Sequence, residues 1–272
     1  MKKGSIASGQ NLLMDLDYPK LQIKKDLLWI LTRKEIILQY KRTSLGILWS
    51  LLNPLLLAFV FYIAFSVVLG VRVRNFPLFI LSALFPWTWF STSVSASTVS
   101  LISNKNLVKK FPFPKHYLLL ASAFSQTVHF LFSIPIIIVL AYLYNKSVGP
   151  VWLIGVPILL LIQFIMTIGI SLPVSVINVY FMDFQFIVAF LLQVLFWVTP
   201  IVYGFDTIPE AYRILFLYMN PMTPLMNSWR ELFMSNTIYW NSVAIAFVGS
   251  LVVFFIGLLI YRKFVKRIDE VI

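Results

Sequence analysis

The chain has no cysteine, two histidines and ten acidic residues among its 272 positions. Without cysteine there is no disulfide framework, no thiolate metal site and no cysteine nucleophile. His116 and His129 are too few for a histidine-rich centre, so no bound metal is expected. Charged residues make up 12% of the sequence, about half the roughly 25% that a water-facing domain carries. Its 60% hydrophobic content excludes a disordered chain. Neither G-x-x-x-x-G-K-[ST] nor G-x-G-x-x-G occurs, and the ten glycines are scattered singly. Work done against a gradient must therefore draw its nucleotide chemistry from another chain.

What the chain does have is apolar length. A helix crosses the hydrocarbon core with about 20 mostly apolar residues. Six runs free of Asp, Glu, Lys and Arg are long enough: 43–71, 75–104, 116–145, 147–182, 184–205 and 232–261. They are continuously apolar rather than alternating, which selects helices over barrel strands. A seventh run, 214–229, has 16 residues broken by Pro221 and Pro224 and reads as a re-entrant or interfacial hairpin. Residues 21–42 read as an amphipathic interfacial helix, with Leu27, Ile30, Leu31 and Leu38 among Lys24, Lys25, Arg33, Lys34 and Glu35. That segment suits either a simple surface anchor or a functional contact. The expected fold is an all-α integral membrane protein: six transmembrane helices, an N-terminal amphipathic interface helix, and a re-entrant outer helical hairpin between helices 5 and 6. Residues 1–43 form the cytoplasmic N-terminal segment, 44–262 the transmembrane domain and 263–272 a cytoplasmic tail.

Six spans put both termini on one side, and the positive charge says which. Of 22 basic residues, 17 fall in the N-terminal segment, the loop after span 2 and the C-terminal tail. Arg72, Arg74, Lys146, Arg213 and Arg230 are left for the opposite face. The positive-inside rule makes the first face cytoplasmic. The net charge of +12 is then an orientation and lipid-surface signal, and no nucleic-acid partner is expected. The first 42 residues lack the short apolar core and cleavage site of a signal peptide, so none is expected.

The acids lie outside the centres of the spans: Asp15, Asp17, Asp26, Glu35, Asp269 and Glu270 near the termini, Asp183 in a short turn, and Asp206, Glu210 and Glu231 after span 5. Ion-coupled transporters place an ionisable group near the midplane, so their absence there argues against that class. His129, inside span 3, reads as a packing histidine. Asp206 and Glu210 are read as solvated rather than as a catalytic pair.

Aromatic residues make up 17%. Trp29, Tyr40, Trp49, Tyr203, Tyr239 and Trp240 fall near span ends, where such rings collect. Phe59, Phe61, Tyr62, Phe65, Phe190, Phe196 and Trp197 lie within spans, as packing bulk or as a lining on which sugar rings stack. Ser91, Thr92, Ser93, Ser95, Ser97, Thr98 and Ser100 make half of span 2 rich in hydroxyls, which suits close helix packing or a wet path. Pro54, Pro86, Pro135, Pro157, Pro173 and Pro200 punctuate the spans and mark packed interfaces or moving parts.

Read in order, these motifs resemble a known family. The run Tyr40-Lys41-Arg42-Thr43-Ser44-Leu45-Gly46-Ile47-Leu48-Trp49, followed by Asn53-Pro54, is similar to the approach to span 1 in the transmembrane subunits of type-2 ABC exporters. The branch it resembles moves O-antigen, capsule or wall teichoic acid. Leu84-Phe85-Pro86-Trp87, Asn104-Lys105-Asn106-Leu107-Val108-Lys109-Lys110, Asn178-Val179-Tyr180-Phe181-Met182-Asp183-Phe184, Thr199-Pro200-Ile201-Val202-Tyr203 and Asn220-Pro221-Met222 follow in the family's order. Met182 stands where many members carry Arg.

The resemblance implies a homodimer in the bacterial cytoplasmic membrane, with the polymer path between the two copies and two separate ATPase subunits that bind ATP and Mg. It implies no catalytic residue and no cofactor on this chain. Its substrate would be a lipid-linked glycan or teichoic acid handled within membrane lipid. Contacts to the ATPase would come from residues 26–43, 104–116 and 178–183, with Arg33, Glu35, Lys41, Arg42, Asn104, Lys105, Lys109, Lys110 and Asp183 as candidates. Residues 209–231 would form the outer gate, with Pro209, Asn220, Pro221 and Pro224 at its turns. Phe59, Tyr62, Phe65, Phe190, Phe196 and Trp197 are the candidate channel lining. The alternatives are a type-2 ABC exporter of a small molecule or lipid, and a membrane-bound transferase, for which no reactive pair is present.

Overall fold

A computed structural model describes residues 20–40, 43, 45, 46, 48–70, 74–110 and 113–271. Among these residues the chain is helical, with no strand. An N-terminal helix, α1 (Lys20–Tyr40), is followed by α2 (Leu48–Phe61), which runs directly into a π-helical stretch, Tyr62–Val68. Then come α3 (Phe76–Ser103), the short α4 (Lys105–Lys110), α5 (His116–Leu143), α6 (Val151–Tyr180) and α7 (Phe184–Val198). Two helices, α8 (Glu210–Met219) and α9 (Met222–Ser235), make a hairpin before the long α10 (Trp240–Phe264) and a terminal turn, α11 (Ile268–Val271).

Five helical segments are long and apolar enough to cross a membrane: Leu48–Val68, Phe76–Ser103, His116–Leu143, Val151–Tyr180 and Trp240–Arg267. The run expected as a fifth span is instead a 15-residue apolar helix, α7. At 1.5 Å per residue it covers about 22 Å, short of the roughly 30 Å hydrocarbon core. The cause is local: Pro200 cannot continue the helix, and the backbone is already extended at Thr199. The Tyr203 hydroxyl folds back to donate to the Trp197 and Val198 carbonyls at 2.9 and 3.2 Å, satisfying acceptors the ended helix leaves open. Elsewhere Asn145 and Asn236 take left-handed conformations at the ends of α5 and α9, and Asn75 does so before α3. Asparagine tolerates that region, which makes these sharp helix boundaries.

The centre of the bundle is α3, with 19 of its 28 residues buried. α5, α6, α9, α2 and α7 pack around it. The most extensive helix pairing is α6 with α10, where two glycines permit backbone contact. A Cβ at Gly257 would lie 1.9 Å from the Gly169 carbonyl oxygen. That carbonyl is four residues before Pro173 and has lost its helical donor, so the Gly257 Cα–H faces an acceptor in need of one.

The apolar residues of α1 do not share one stripe. Leu31 is buried and Leu27 and Leu28 half-buried against the bundle, whereas Trp29, Ile30, Ile37 and Leu38 point outward. The helix therefore buries one apolar edge on α5 and leaves a second edge open. The expected boundary at residue 262 falls inside a continuous helix, α10.

Candidate functional site

One end of the bundle gathers α1, α4, the start of α5, the ends of α6 and α10, and α11 around a core of Leu31, Leu101, Val108, Leu118, Val176 and Ile268. Residues expected to contact an ATPase collect on this end. Asn104 is its hub. Its amide donates to the Ser100 carbonyl at 2.8 Å, its backbone carbonyl accepts from Leu107 and Val108 to start α4, and its side-chain oxygen accepts from the Lys34 ammonium of α1. Lys34 also lies 3.5 Å from Glu35. Arg33, Lys105, Lys109, Lys110 and Asp183 are exposed; Lys41 and Arg42 lie outside the described residues.

The turn between α6 and α7 explains its motif. Asn178 is 1% exposed and its side-chain oxygen accepts the Gln185 backbone N–H at 3.0 Å. The last turn of α6 thereby caps the first turn of α7, whose early N–H groups lack partners. Asn178→Ala is expected to cost about 1 kcal/mol, the usual weight of a lost cap, read as a lower melting temperature of the purified chain.

A groove of about 470 Å³ runs between α2, α3 and α7. Phe61, Trp87, Phe196 and Trp197 form its aromatic side, and Thr88, Ser91, Ser95 and Gln193 bring hydrogen-bonding groups to it. Phe61 stacks on Phe196 with ring centroids 6.0 Å apart and meets Trp197 edge-on at 6.2 Å. Trp87 lies 5.7 Å from Phe196, and Phe65 joins through Phe61 at 6.2 Å. Of the six candidate lining residues, Phe65, Phe196 and Trp197 thus fall in one cluster. Tyr62 turns away to Phe76, while Phe59 and Phe190 face outward, 60% and 65% exposed. Two further residues line the groove: Phe61, which is among the aromatics within spans but outside the six, and Trp87. Trp87 was visible as the last residue of Leu84-Phe85-Pro86-Trp87, but Phe61 carried no signal beyond its aromatic neighbours.

The hydroxyls of α3 divide. Ser93, Ser97, Thr98 and Ser100 are buried in the bundle, while Ser91, Thr92 and Ser95 border open space. Ser91, Thr92, Ser93 and Thr98 donate to carbonyls one turn back, which lets a hydroxyl sit in an apolar helix without an outside partner.

At the other end of the bundle the α8–α9 hairpin is unequal. α9 is set into the core with ten of its 14 residues buried, whereas α8 has none. Trp229 is fully buried, its indole N–H donating to the Gln163 side-chain oxygen at 2.6 Å, and the Gln163 amide donates to the Pro86 carbonyl at 2.6 Å. Arg230, expected on an outer loop, is instead 5% exposed. Its guanidinium donates to the Ile201 carbonyl at 2.7 Å and to the Tyr203 and Phe79 carbonyls at 3.4 Å, with the Phe79 ring 4.0 Å away. Burial pulls its pKa down to about 10, against a smaller opposing effect of Glu231, so it stays charged at neutral pH.

Asn220 sits at the break between α8 and α9. Its amide donates to the Thr199 hydroxyl at 2.9 Å, and its side-chain oxygen accepts the Met222 N–H at 3.1 Å. The motif pieces at 199–203 and 220–222 are therefore bonded to each other. Pro209 precedes α8, Pro221 precedes α9, and Pro224 lies in the first turn of α9. Glu210 pairs with Arg213 at 3.6 Å; it and Asp206 are exposed.

The sequence model of a family described as ABC-2 type transporter matches residues 26–234. An O-antigen export system permease protein, RfbA, of Klebsiella pneumoniae is 36% identical over 247 residues, covering 91% of this chain and 95% of the relative. The Myxococcus xanthus protein of the same name is 36% identical over 211 residues, 77% and 80% of the two chains. The polysialic acid transport protein KpsM of Escherichia coli is 24% identical over 248 residues, 89% and 94%.

Proposed function

Since the chain belongs to the ABC-2 type transporter family, we propose that it is the membrane-spanning subunit of an ATP-driven exporter of a lipid-linked cell-surface glycan. The names of its O-antigen and polysialic acid relatives support that cargo class. In this reading α7 and the segment after it make the fifth of six crossings, and the end carrying α1, α4 and the 178–183 turn faces the cytoplasm. Two copies enclose the path, and each docks a separate ATPase that supplies the ATP and Mg chemistry. The hairpin α8–α9 forms the outer gate.

The observation that carries the polymer reading is the groove between α2, α3 and α7. Ring faces of Phe61, Phe196 and Trp197 suit the apolar C–H faces of sugar rings. Thr88, Ser91, Ser95 and Gln193, which share that groove, suit sugar hydroxyls. A surface that grips each ring weakly and repeatedly lets a long chain slide.

The purified chain is expected to hydrolyse no ATP alone, and to support ATP-dependent export of lipid-linked glycan in vesicles once its ATPase is added. Trp197→Ala and Phe61→Ala are expected to cut that export severalfold while the ATPase still co-purifies. Hydrolysis by the lone chain would overturn the reading. Drug-stimulated hydrolysis without glycan export would move it to a small-molecule exporter.

A further inference from the structure

The groove uses only one side of the hydroxyl-rich part of α3. On the other side, between α1, α3 and α5, lies a second recess of about 550 Å³. Of its ten described lining residues only Leu38 and Ala96 are apolar, and none is Lys or Arg. Its wall sets hydroxyl and amide groups among apolar carbon, a surface that suits an occupant with both hydrogen-bonding groups and C–H faces.

Two buried donors point the same way. Ser125, on the wall of the recess, is 1% exposed and its hydroxyl has no hydrogen-bond partner. Trp89, 2% exposed, has an indole N–H with no partner and lines an adjoining cavity of about 130 Å³. Gln126 stands between the two spaces. Its amide donates to the Gln39 side-chain oxygen of α1 at 3.2 Å, and its own oxygen lies 3.3 Å from the Thr92 hydroxyl.

The chemistry of the wall selects its ligand. An anionic group would meet the Glu35 carboxylate, and among the described residues no Lys or Arg lines the wall to supply the charged donors that phosphate recognition relies on. A sugar ring matches, since each of its hydroxyls donates and accepts, as serine, threonine and glutamine side chains do. The volume lies within the range of small-ligand sites. Ser91 and Ser95 line both this recess and the aromatic groove, so the two adjoin along that edge of α3, with the recess on the α1 side.

We propose that this recess is a binding subsite for an uncharged sugar ring, occupied before the ring passes into the aromatic groove. The proposal rests on the export reading for its cargo, and its test separates the two. In the exporter reconstituted with its ATPase, Ser125→Ala removes a hydroxyl that no protein group uses, so the melting temperature is expected to hold or rise. The glycan concentration for half-maximal export is expected to increase roughly fivefold, the weight of one neutral hydrogen bond. Gln126→Leu is expected to raise it further.

A second measurement does not depend on export. In this cysteine-free chain, maltose is expected to slow thiol modification of a Ser125→Cys variant, and glucose 1-phosphate is not. The subsite is overturned if both variants reach half-maximal export at the wild-type concentration, if maltose gives no protection, or if Gln126→Lys tightens glycan use. The export reading alone fails if wild-type vesicles move no glycan while maltose still protects Ser125→Cys.

Discussion

Gly257→Ala is expected to prevent the folded chain from accumulating in the membrane. The added methyl would stand 1.9 Å from the Gly169 carbonyl oxygen, 2.9 Å from its carbon and 3.1 Å from the Pro173 ring. Two of these are backbone atoms, so no rotamer change relieves the overlap. The α6–α10 pair must open by on the order of 1 Å, breaking close packing along the contact. Overpacking of a tight core costs about 1–3 kcal/mol and occasionally more. With backbone on both sides, about 3 kcal/mol or more is expected here, a large share of the roughly 5–15 kcal/mol that holds a protein folded. The change also removes one of the two Cα hydrogens available to an acceptor already orphaned by Pro173. Gly169→Ala meets Phe254 backbone atoms at 2.7 and 2.8 Å and is expected to behave alike. Gly204→Ala is the control: its nearest atom lies 4.0 Å away, and a change within about 0.5 kcal/mol is expected. Melting temperature and the monodisperse fraction after detergent extraction read the series. A Gly257→Ala protein that melts with the wild type would refute the backbone contact.

The second large effect is expected at Arg230. Its guanidinium is the meeting point of three segments: α9, which carries it; the 201–203 turn after α7; and the first turn of α3 through Phe79. No carboxylate among the described residues pairs with it. The stabilisation comes from carbonyl dipoles near the end of α7, where the helix dipole favours a cation. Arg230→Ala loses a charged hydrogen bond, about 1.5–3 kcal/mol, and leaves a void lined by the Phe79 ring. About 3 kcal/mol of destabilisation is expected, with the 199–209 segment becoming sensitive to protease in intact vesicles. Arg230→Lys keeps the charge but not the planar fork that reaches separate acceptors, so partial recovery is expected. An Arg230→Ala protein as stable and protease-resistant as the wild type would show the guanidinium to be incidental.

The long helices were readable because lipid imposes a simple rule: charge-free length makes a helix. The run 75–104 became Phe76–Ser103, and 116–145 became His116–Leu143. That rule is silent about rotation. Phe59 and Phe61 are two positions apart, about 200° around a helix, so one faces outward while the other enters the groove. Composition cannot tell them apart. Nor could it show that Arg230 is buried. An arginine at the edge of an apolar run looks like a boundary, and only the fold brings the Ile201 and Phe79 carbonyls to it. The two edges of α1 were merged into one stripe for a related reason, since apolar residues occur all around that helix. The order of the short motifs proved more informative than any one of them, because Asn104, Asn178, Thr199 and Asn220 each complete a hydrogen bond that starts or stops a helix.

The unequal arms of the hairpin bear on how tightly its end of the bundle can be closed. Lifting α9 means exposing Trp229, Phe233 and the Arg230 contacts, which amounts to unfolding. α8 contributes no buried residue of its own, so its displacement lies nearer the low-energy end of the motions a protein makes. A displaced state only a few kcal/mol above the ground state is occupied roughly 0.1–10% of the time. As the outer gate of the proposed exporter, α8 would be a loosely held lid. In the exporter we propose, a lasting barrier to ions at this end would then need something pressing on α8, either a second copy of the chain or a cargo filling the path.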